Sequence, residues 1–102
     1  MTMEFKTVAA LDELEEDEGK CVLVEGRQVA LFRVGDAVHA IDNLCPHQGG
    51  PLADGWVNNG QVICPLHGWE FSLETGTTTM GEPVPVHKVR IDGNNVQVAI
   101  QA

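Results

Sequence analysis

The stretch CPHQGGPLADGWVNNGQVICPLHG, residues 45–68, places two cysteines and two histidines in matched pairs. It opens with Cys45 and His47 and closes with Cys64 and His67, and each pair lies in a segment rich in glycine and proline. Thiolates and neutral imidazoles are both good ligands for borderline-soft metals, so these four side chains can complete one site. The sequence therefore predicts a metal centre held by two loops.

The composition of each cysteine–histidine pair distinguishes between two kinds of metal site. A structural zinc site of two cysteines and two histidines usually takes both cysteines from one short cluster and both histidines from the other. Here each cluster supplies one residue of each kind. Two mixed loops can instead give both thiolates to one metal ion and both imidazoles to a second. That is the arrangement of a Rieske [2Fe–2S] centre.

The residues around the two loops resemble the Rieske ferredoxin family. The pattern C-x-H, sixteen further residues and then C-x-x-H is similar to the family motif with its usual spacing. Segments 49–52 (GGPL) and 73–76 (LETG) extend the resemblance, which covers roughly residues 5–100. The resemblance implies one [2Fe–2S] cluster per chain, with four ligands: Cys45, His47, Cys64 and His67.

Short β-strand patterns lie on both sides of the ligand loops. Turn signals such as Asn58-Asn59-Gly60 separate them, which is typical of a small sandwich or barrel. The predicted strands cover residues 4–10, 21–26, 28–34, 37–41, 61–65, 69–73, 85–91 and 96–100. We therefore predict a single all-β domain, residues 1–102, built as a small antiparallel β sandwich or barrel. Its one candidate helix is the acidic run at residues 11–18.

A loop-rich segment interrupts this β framework between about residues 43 and 81. A rigid sheet that presents loops is a common way to hold a site, so we expect this segment to be a cluster-binding subdomain. The resemblance implies that the cluster lies at its tip, covered by the two ligand loops and by a third loop that contains proline. Gly81-Glu82-Pro83 is the candidate for this third loop.

The charge and composition of the chain limit its partners and its location. With 15 acidic and 6 basic residues the net charge is −9, which disfavours nucleic acid and anionic membranes and favours a protein with a basic docking patch. The apolar runs are strand-sized, and the first residues do not read as a signal peptide. We therefore expect a cytoplasmic protein without a membrane segment, in which three cysteines favour metal binding over disulfides.

The other residues that could carry chemistry are expected to be structural. Cys21 opens a strand pattern with no histidine beside it, so we expect a buried thiol. His39 and His87 lie on strand patterns and should pack in or on the sheet. Trp56 and Trp69 should be packing residues, and Trp69 is also placed to shield the cluster from water. No Ser-His-Asp arrangement, P-loop or Rossmann motif indicates a second site.

Together these features indicate an electron carrier rather than an enzyme. The resemblance implies a soluble ferredoxin that passes single electrons from a flavin-dependent reductase to a terminal oxygenase, often a ring-hydroxylating dioxygenase. The same residues also resemble the NirD-like small subunit of assimilatory NAD(P)H nitrite reductase, whose partner would be the nitrite reductase large subunit. This alternative stays open, and a structural zinc-binding module is the remaining one.

The resemblance also implies a low reduction potential. High-potential members of the family carry one extra cysteine in each ligand loop, and the two form a disulfide. They also place a serine and a tyrosine hydroxyl on the cluster. The matching cysteine positions are Gly50 and Leu66, the matching serine position is Trp69, and the chain contains no tyrosine.

Overall fold

The computed structural model describes residues 4–44, 50–66, 68–79 and 81–100. Within these ranges the regular structure is almost entirely β-strand. The strands are β1 (Lys6–Ala10), β2 (Gly19–Val24), β3 (Arg27–Val34), β4 (Ala37–Asp42), β5 (Trp56–Asn58), β6 (Gln61–Ile63), β7 (Glu70–Ser72), β8 (Val86–Asp92) and β9 (Asn95–Ala99). Single turns of 3-10 helix cover Leu11–Glu13 and Leu52–Asp54. The described residues contain no helix with the length and apolar character of a membrane span.

Two antiparallel sheets organise these strands. The main sheet has six strands in the order β1-β9-β8-β4-β3-β2, and its edge strands β1 and β2 approach each other, so the sheet nearly closes on itself. The small sheet has three strands in the order β5-β6-β7. The prediction of an all-β fold, a small antiparallel sandwich or barrel, is confirmed.

Tight turns set the register of the hairpins. Asn59-Gly60 joins β5 to β6 with φ of 53° and 76°, and Glu25-Gly26 joins β2 to β3 with φ of 52° and 78°. Two successive positive φ angles match the twist of antiparallel strands, and glycine adopts the second without steric cost. The predicted turn at Gly26-Arg27 is displaced by one residue, because Arg27 already pairs with Val24 in the sheet.

Strand β3 is buried on both faces and separates two hydrophobic cores. Val29 and Leu31 face one core, and Ala30 and Phe32 face the other. The first, which we call the inner core, lies within the main sheet and is formed by the buried residues Ala9, Leu14, Val24, Val29, Leu31, Val38, Ala40, Val96 and Val98. The second, the bridging core, joins the two sheets and contains Ala30, Phe32, Ile41, Leu52, Ala53, Val62, Cys64, Phe71, Leu73 and Val84.

The acidic run at residues 11–18 is not a helix beyond its first turn. The 3-10 turn ends at Leu14, whose backbone is extended and whose side chain is buried in the inner core. Asp17 then adopts φ of 60° and donates its backbone N–H to the carbonyl oxygen of Arg33 at 2.8 Å. Burial and backbone pairing with β3 outweigh the weak local helix tendency of a run of like charges.

The prediction of a buried thiol at Cys21 is wrong. Cys21 is exposed on β2, as is Leu23, whereas Val24 on the same strand is buried in the inner core. Successive side chains of a strand point to opposite faces. Val22 and Val24 therefore point toward the inner core, and Cys21 between them faces solvent.

Candidate metal centre

Of the four predicted ligands, the structure describes Cys64. Its side chain is 2% exposed and belongs to the bridging core, directly after the end of β6. Cys45, His47 and His67 lie outside the described residues. In the ranges that are described, no group of three or more histidine, cysteine, aspartate or glutamate side chains is placed to hold a metal ion. The complete ligand set therefore stays a prediction.

The second ligand loop is closed by backbone hydrogen bonds around Cys64. The Cys64 N–H donates to the carbonyl oxygen of Trp69 at 2.8 Å, and the Gly68 N–H donates to that of Cys64 at 3.0 Å. Gly68 has φ of 74°, a left-handed conformation in which a side chain would be strained. These contacts fix Cys64 directly after β6, the central strand of the small sheet.

The end of the first ligand loop meets the sulfur of the second. Gly50 is buried, and a Cβ atom added there would lie 3.1 Å from Cys64 Sγ and 2.8 Å from Leu66 Cδ1. Glycine at this position therefore lets the backbone of one loop approach the thiol of the other. Such a cradle suits a sulfur that binds a metal cluster, because nearby backbone groups orient and tune a ligating thiolate.

The two ends of the first loop lie side by side. Leu44 and Pro51 form an isolated antiparallel bridge, and the Leu52 N–H donates to the Asn43 carbonyl oxygen at 2.7 Å. The residues that flank the first predicted ligand loop are therefore held together. Leu52, which follows this loop, and Cys64 of the second loop both belong to the bridging core.

The candidate third loop contacts the second ligand loop. A Cβ atom at Gly81 would lie 2.7 Å from the indole ring of Trp69, so the backbone at Gly81 rests against that ring. Trp69 is half-buried, packs against the bridging core and has its ring centroid 6.3 Å from that of Phe71. The packing role predicted for Trp69 agrees with these contacts.

The packing role predicted for Trp56 is wrong. Trp56 is 62% exposed on β5, the edge strand of the small sheet. The side chain of the next residue, Val57, is partly buried against the bridging core. Because successive side chains of a strand point to opposite faces, Trp56 points outward.

A charged network that the sequence did not indicate lies just before the first ligand loop. Arg27 donates to both carboxylate oxygens of Asp42, from Nε at 3.1 Å and from Nη2 at 2.9 Å, and His87 Nε2 lies 2.7 Å from Asp42 Oδ1. The His87 side chain is fully buried, as expected for a packing residue on β8, and His39 is half-buried on β4. Burial alone raises the pKa of Asp42, but the hydrogen bonds from Arg27 and His87 outweigh it, so the pKa lies below its ordinary value of 3.8.

This network should make part of the stability depend on pH in acid. A carboxyl whose pKa is lower in the folded state stabilises the fold above its unfolded pKa, and this contribution is lost as pH falls through the folded value. We expect Asp42→Asn to lower the free energy of unfolding by about 1–2 kcal/mol at pH 7, since Arg27 is partly exposed and its pairing is partly screened. Denaturant titrations of both proteins should show this difference shrinking below about pH 4. A difference that is the same at pH 7 and pH 3 would contradict this role of Asp42.

These features define a class of protein. A small sheet bearing a buried cysteine packs on a nearly closed antiparallel sheet, and a second loop brings a glycine against the cysteine sulfur. A soft thiol in a dry apolar cradle fits an iron–sulfur cluster, whose potential depends on hydrogen bonding to sulfur and on solvent exposure. The fold and the described part of the site thus fit the class of small β proteins that hold such a cluster between loops.

Comparison with known proteins identifies the family. A model of the Rieske-like [2Fe-2S] domain matches residues 4–99, so the chain belongs to this family, and the predicted resemblance is confirmed. The chain is 35% identical over 100 residues to the anthranilate 1,2-dioxygenase ferredoxin subunit of Burkholderia cepacia, covering 95% of this chain and 93% of the relative.

Two solved structures show the same fold. The ferredoxin of carbazole 1,9a-dioxygenase from Nocardioides aromaticivorans IC177 superposes with a TM-score of 0.91 at 34% identity, covering 95% of this chain and 98% of that one. A Mycobacterium tuberculosis structure, assigned as an NADH-dependent nitrite reductase small subunit, superposes with a TM-score of 0.92 at 32% identity, covering 100% and 99%. Relatives of both predicted kinds therefore share this architecture.

Proposed function

We propose that this protein is a cytoplasmic electron carrier with one Rieske [2Fe–2S] cluster per chain. Its four ligands are Cys45, His47, Cys64 and His67. It takes single electrons from a flavin-dependent reductase and passes them to a terminal oxygenase, such as a ring-hydroxylating dioxygenase. The observation that supports this most directly is the approach of Gly50 to the buried sulfur of Cys64, in a chain of the Rieske-like family. A reducing cytoplasm would keep the ligand thiols available.

The residues around Cys64 perform the tasks that a one-electron carrier needs. A [2Fe–2S] cluster held by these four ligands would accept and release one electron at a time. Cys64 is enclosed by the bridging core, which keeps water away from its sulfur and lowers the local dielectric. Gly50 brings backbone to that sulfur, and Trp69 packs its indole ring against the bridging core and the backbone at Gly81.

The electron should leave through an apolar collar at the tip of the site. We define this collar as Leu44, Pro51 and Leu66. Leu44 is 50% exposed and Leu66 is 49% exposed, and each adjoins a predicted ligand in sequence. Pro51 bridges to Leu44, and its neighbour Gly50 touches Leu66, so the three residues are continuous. A small exposed apolar patch suits the brief, small contacts that are typical of redox partners.

The nitrite reductase alternative rests on the Mycobacterium tuberculosis structure, which matches this chain over its full length. In that case the partner would be the large subunit of the nitrite reductase, and the chemistry inside this chain would be unchanged. The reduced protein should then pass its electron to that subunit and not to an oxygenase. Parallel oxidation assays with both partners distinguish the two functions. A colourless protein that contains zinc would rule out both.

The collar predicts how electron transfer responds to mutation. We expect Leu66→Ser to slow the second-order oxidation of the reduced protein by its oxygenase roughly tenfold, equivalent to about 1.4 kcal/mol of contact energy. The matched control is Ile91→Ser, which changes an exposed aliphatic residue near the far end of β8. Stopped-flow absorbance at the cluster band measures both rates.

The same assay tests the steering role of the acidic charge. Because the chain carries a net charge of −9, the wild-type rate should fall as ionic strength rises, as Debye screening weakens attraction to a basic partner.

Equal slowing of Leu66→Ser and Ile91→Ser would exclude the collar as the docking surface. A rate that is flat with salt would exclude acidic steering while leaving the collar in place.

A further inference from the structure

Asn43 is a buried polar residue at the junction between β4 and the first ligand loop. It is 3% exposed, and both its backbone and its side chain are hydrogen-bonded. Its backbone N–H donates to the Gln28 carbonyl oxygen at 3.0 Å, and its Nδ2 donates to Gln28 Oε1 at 3.1 Å. Its carbonyl oxygen accepts from the Leu52 N–H at 2.7 Å, and its Oδ1 accepts from the Ala53 N–H at 2.9 Å.

These four bonds connect three parts of the fold through one residue. Gln28 lies on β3 of the main sheet, and Leu52 and Ala53 open the 3-10 helix that follows the loop. Asn43 itself immediately precedes the loop. The start of the loop, its end and the rigid sheet are therefore held at fixed spacing by a single side chain and its own backbone. A buried amide whose partners are all satisfied specifies one arrangement, because any other leaves polar groups unpaired.

Of the two side-chain bonds of Asn43, the bond to Ala53 joins it to the returning end of the loop. Ala53 is buried, so its N–H would have no solvent partner if the Asn43 side chain were removed. The bond to Gln28 Oε1 is less critical, because Gln28 is exposed and water can replace its side chain. We therefore expect a mutation that removes the bond to Ala53 to have a larger effect than one that removes only the bond to Gln28.

Gly50 links the segment held by Asn43 to the cluster site. Two residues separate Gly50 from Ala53 along the chain, and Gly50 is the residue that lies against Cys64 Sγ. We propose that Asn43 is a positioning residue of the cluster site: its side-chain amide holds the returning end of the first ligand loop against the sulfur of Cys64. This inference rests on the proposed function, since it assigns Asn43 a role toward the cluster itself and not only toward the fold.

The test compares three variants of the full-length protein purified with its cluster. Asn43→Ala removes both side-chain bonds, and Gln28→Ala removes only the bond to Gln28 Oε1. Val98→Ala weakens the inner core, which does not contain Cys64, and serves as the control for a general loss of stability. Each variant is measured by the EPR spectrum of the reduced protein, by the rate of cluster loss to a chelator and by its denaturant midpoint.

We expect Asn43→Ala to shift or broaden the EPR spectrum and to lose its cluster roughly tenfold faster than wild type, the low end of the 10–100-fold loss of affinity that follows removal of a direct hydrogen-bond partner of a metal ligand. Gln28→Ala and Val98→Ala should keep the wild-type spectrum, even if Val98→Ala is destabilised as much as Asn43→Ala. If Asn43→Ala matches Val98→Ala in spectrum and in rate of cluster loss, the positioning role is overturned. A wild-type protein with no iron–sulfur signal would instead overturn the proposed function, and this inference with it.

Discussion

Replacing Cys64 with serine is expected to abolish the iron–sulfur cluster, whereas the same replacement at Cys21 should leave it intact. The two cysteines differ in their surroundings. Cys64 is buried in the bridging core beside Gly50, and Cys21 is exposed on the outer face of β2. A serine hydroxyl is a much poorer ligand for iron than a thiolate, so removing one thiolate should release the cluster. Iron and acid-labile sulfide per chain, together with visible absorbance, measure the outcome.

The remaining predicted ligands extend this test. Cys45→Ser, His47→Ala and His67→Ala should also lose the cluster, because each takes away one of the four ligands. Since metal binding and folding are coupled, these variants should be less stable to denaturant than Cys21→Ser. Full cluster occupancy in Cys64→Ser would show that the ligand assignment is wrong. Loss of the cluster in Cys21→Ser would instead mean that the exposed thiol takes part in binding.

The strands were predictable because their signals are local. A continuous apolar run marks β3, alternating valines mark β9, and the Asn59-Gly60 pair marks the turn of the small sheet. The three-residue strand β5 was missed, since an alternation of that length gives no distinct signal. Its first residue, Trp56, was then assigned to the interior. Cys21 was expected inside the fold only because free cysteines are usually buried, whereas Val22 and Val24 are the residues of β2 that pack in the inner core.

The site was predictable only where a motif marks it. The Cys/His pairs follow a pattern that can be read from the sequence, and the glycine at position 50 belongs to the same pattern. Asn43 and Asp42 gave no such signal, because their roles arise from partners far along the chain. Asn43 meets Gln28 across the sheet, and Asp42 meets His87 on β8. Polar residues at the end of a strand are ordinary in sequence, and only tertiary structure shows that these two are enclosed and paired.

The reduction potential should lie near the lower end of the Rieske range, at about −150 mV. Reduction adds negative charge to the cluster, so each hydroxyl that donates to it stabilises the reduced form. A hydrogen bond to a charged group contributes about 1.5–3 kcal/mol, which for one electron is roughly 65–130 mV if the whole effect falls on the reduced state. The family resemblance places two such hydroxyls, from serine and tyrosine, on high-potential clusters. Here the serine position is Trp69 and the chain has no tyrosine, so the potential should be lower by about 130–260 mV.

The contact between the two ligand loops is also consistent with a low reduction potential. High-potential members join their ligand loops by a disulfide at the positions of Gly50 and Leu66. In this protein those two residues touch, with the Leu66 side chain 2.8 Å from where a Cβ of residue 50 would lie. Packing of an aliphatic side chain on glycine therefore takes the place of a covalent link, and Leu66 remains half-exposed. The net charge of −9 further disfavours the reduced cluster, although screening by salt weakens that effect.

Variants at Trp69 separate the hydroxyl effect from the effect of losing the ring. Trp69→Ala removes the indole that packs against Gly81, and Trp69→Ser removes the same indole but adds a hydroxyl. If the hydroxyl reaches the cluster, the serine variant should have a midpoint roughly 65–130 mV above that of the alanine variant. Trp56→Ser is the matched control, because it changes an exposed tryptophan on the edge of the small sheet and should leave the potential unchanged. Redox titrations followed by circular dichroism or EPR give all four midpoints. A wild-type midpoint above roughly +100 mV would show that the missing hydroxyls and disulfide do not set the potential of this protein.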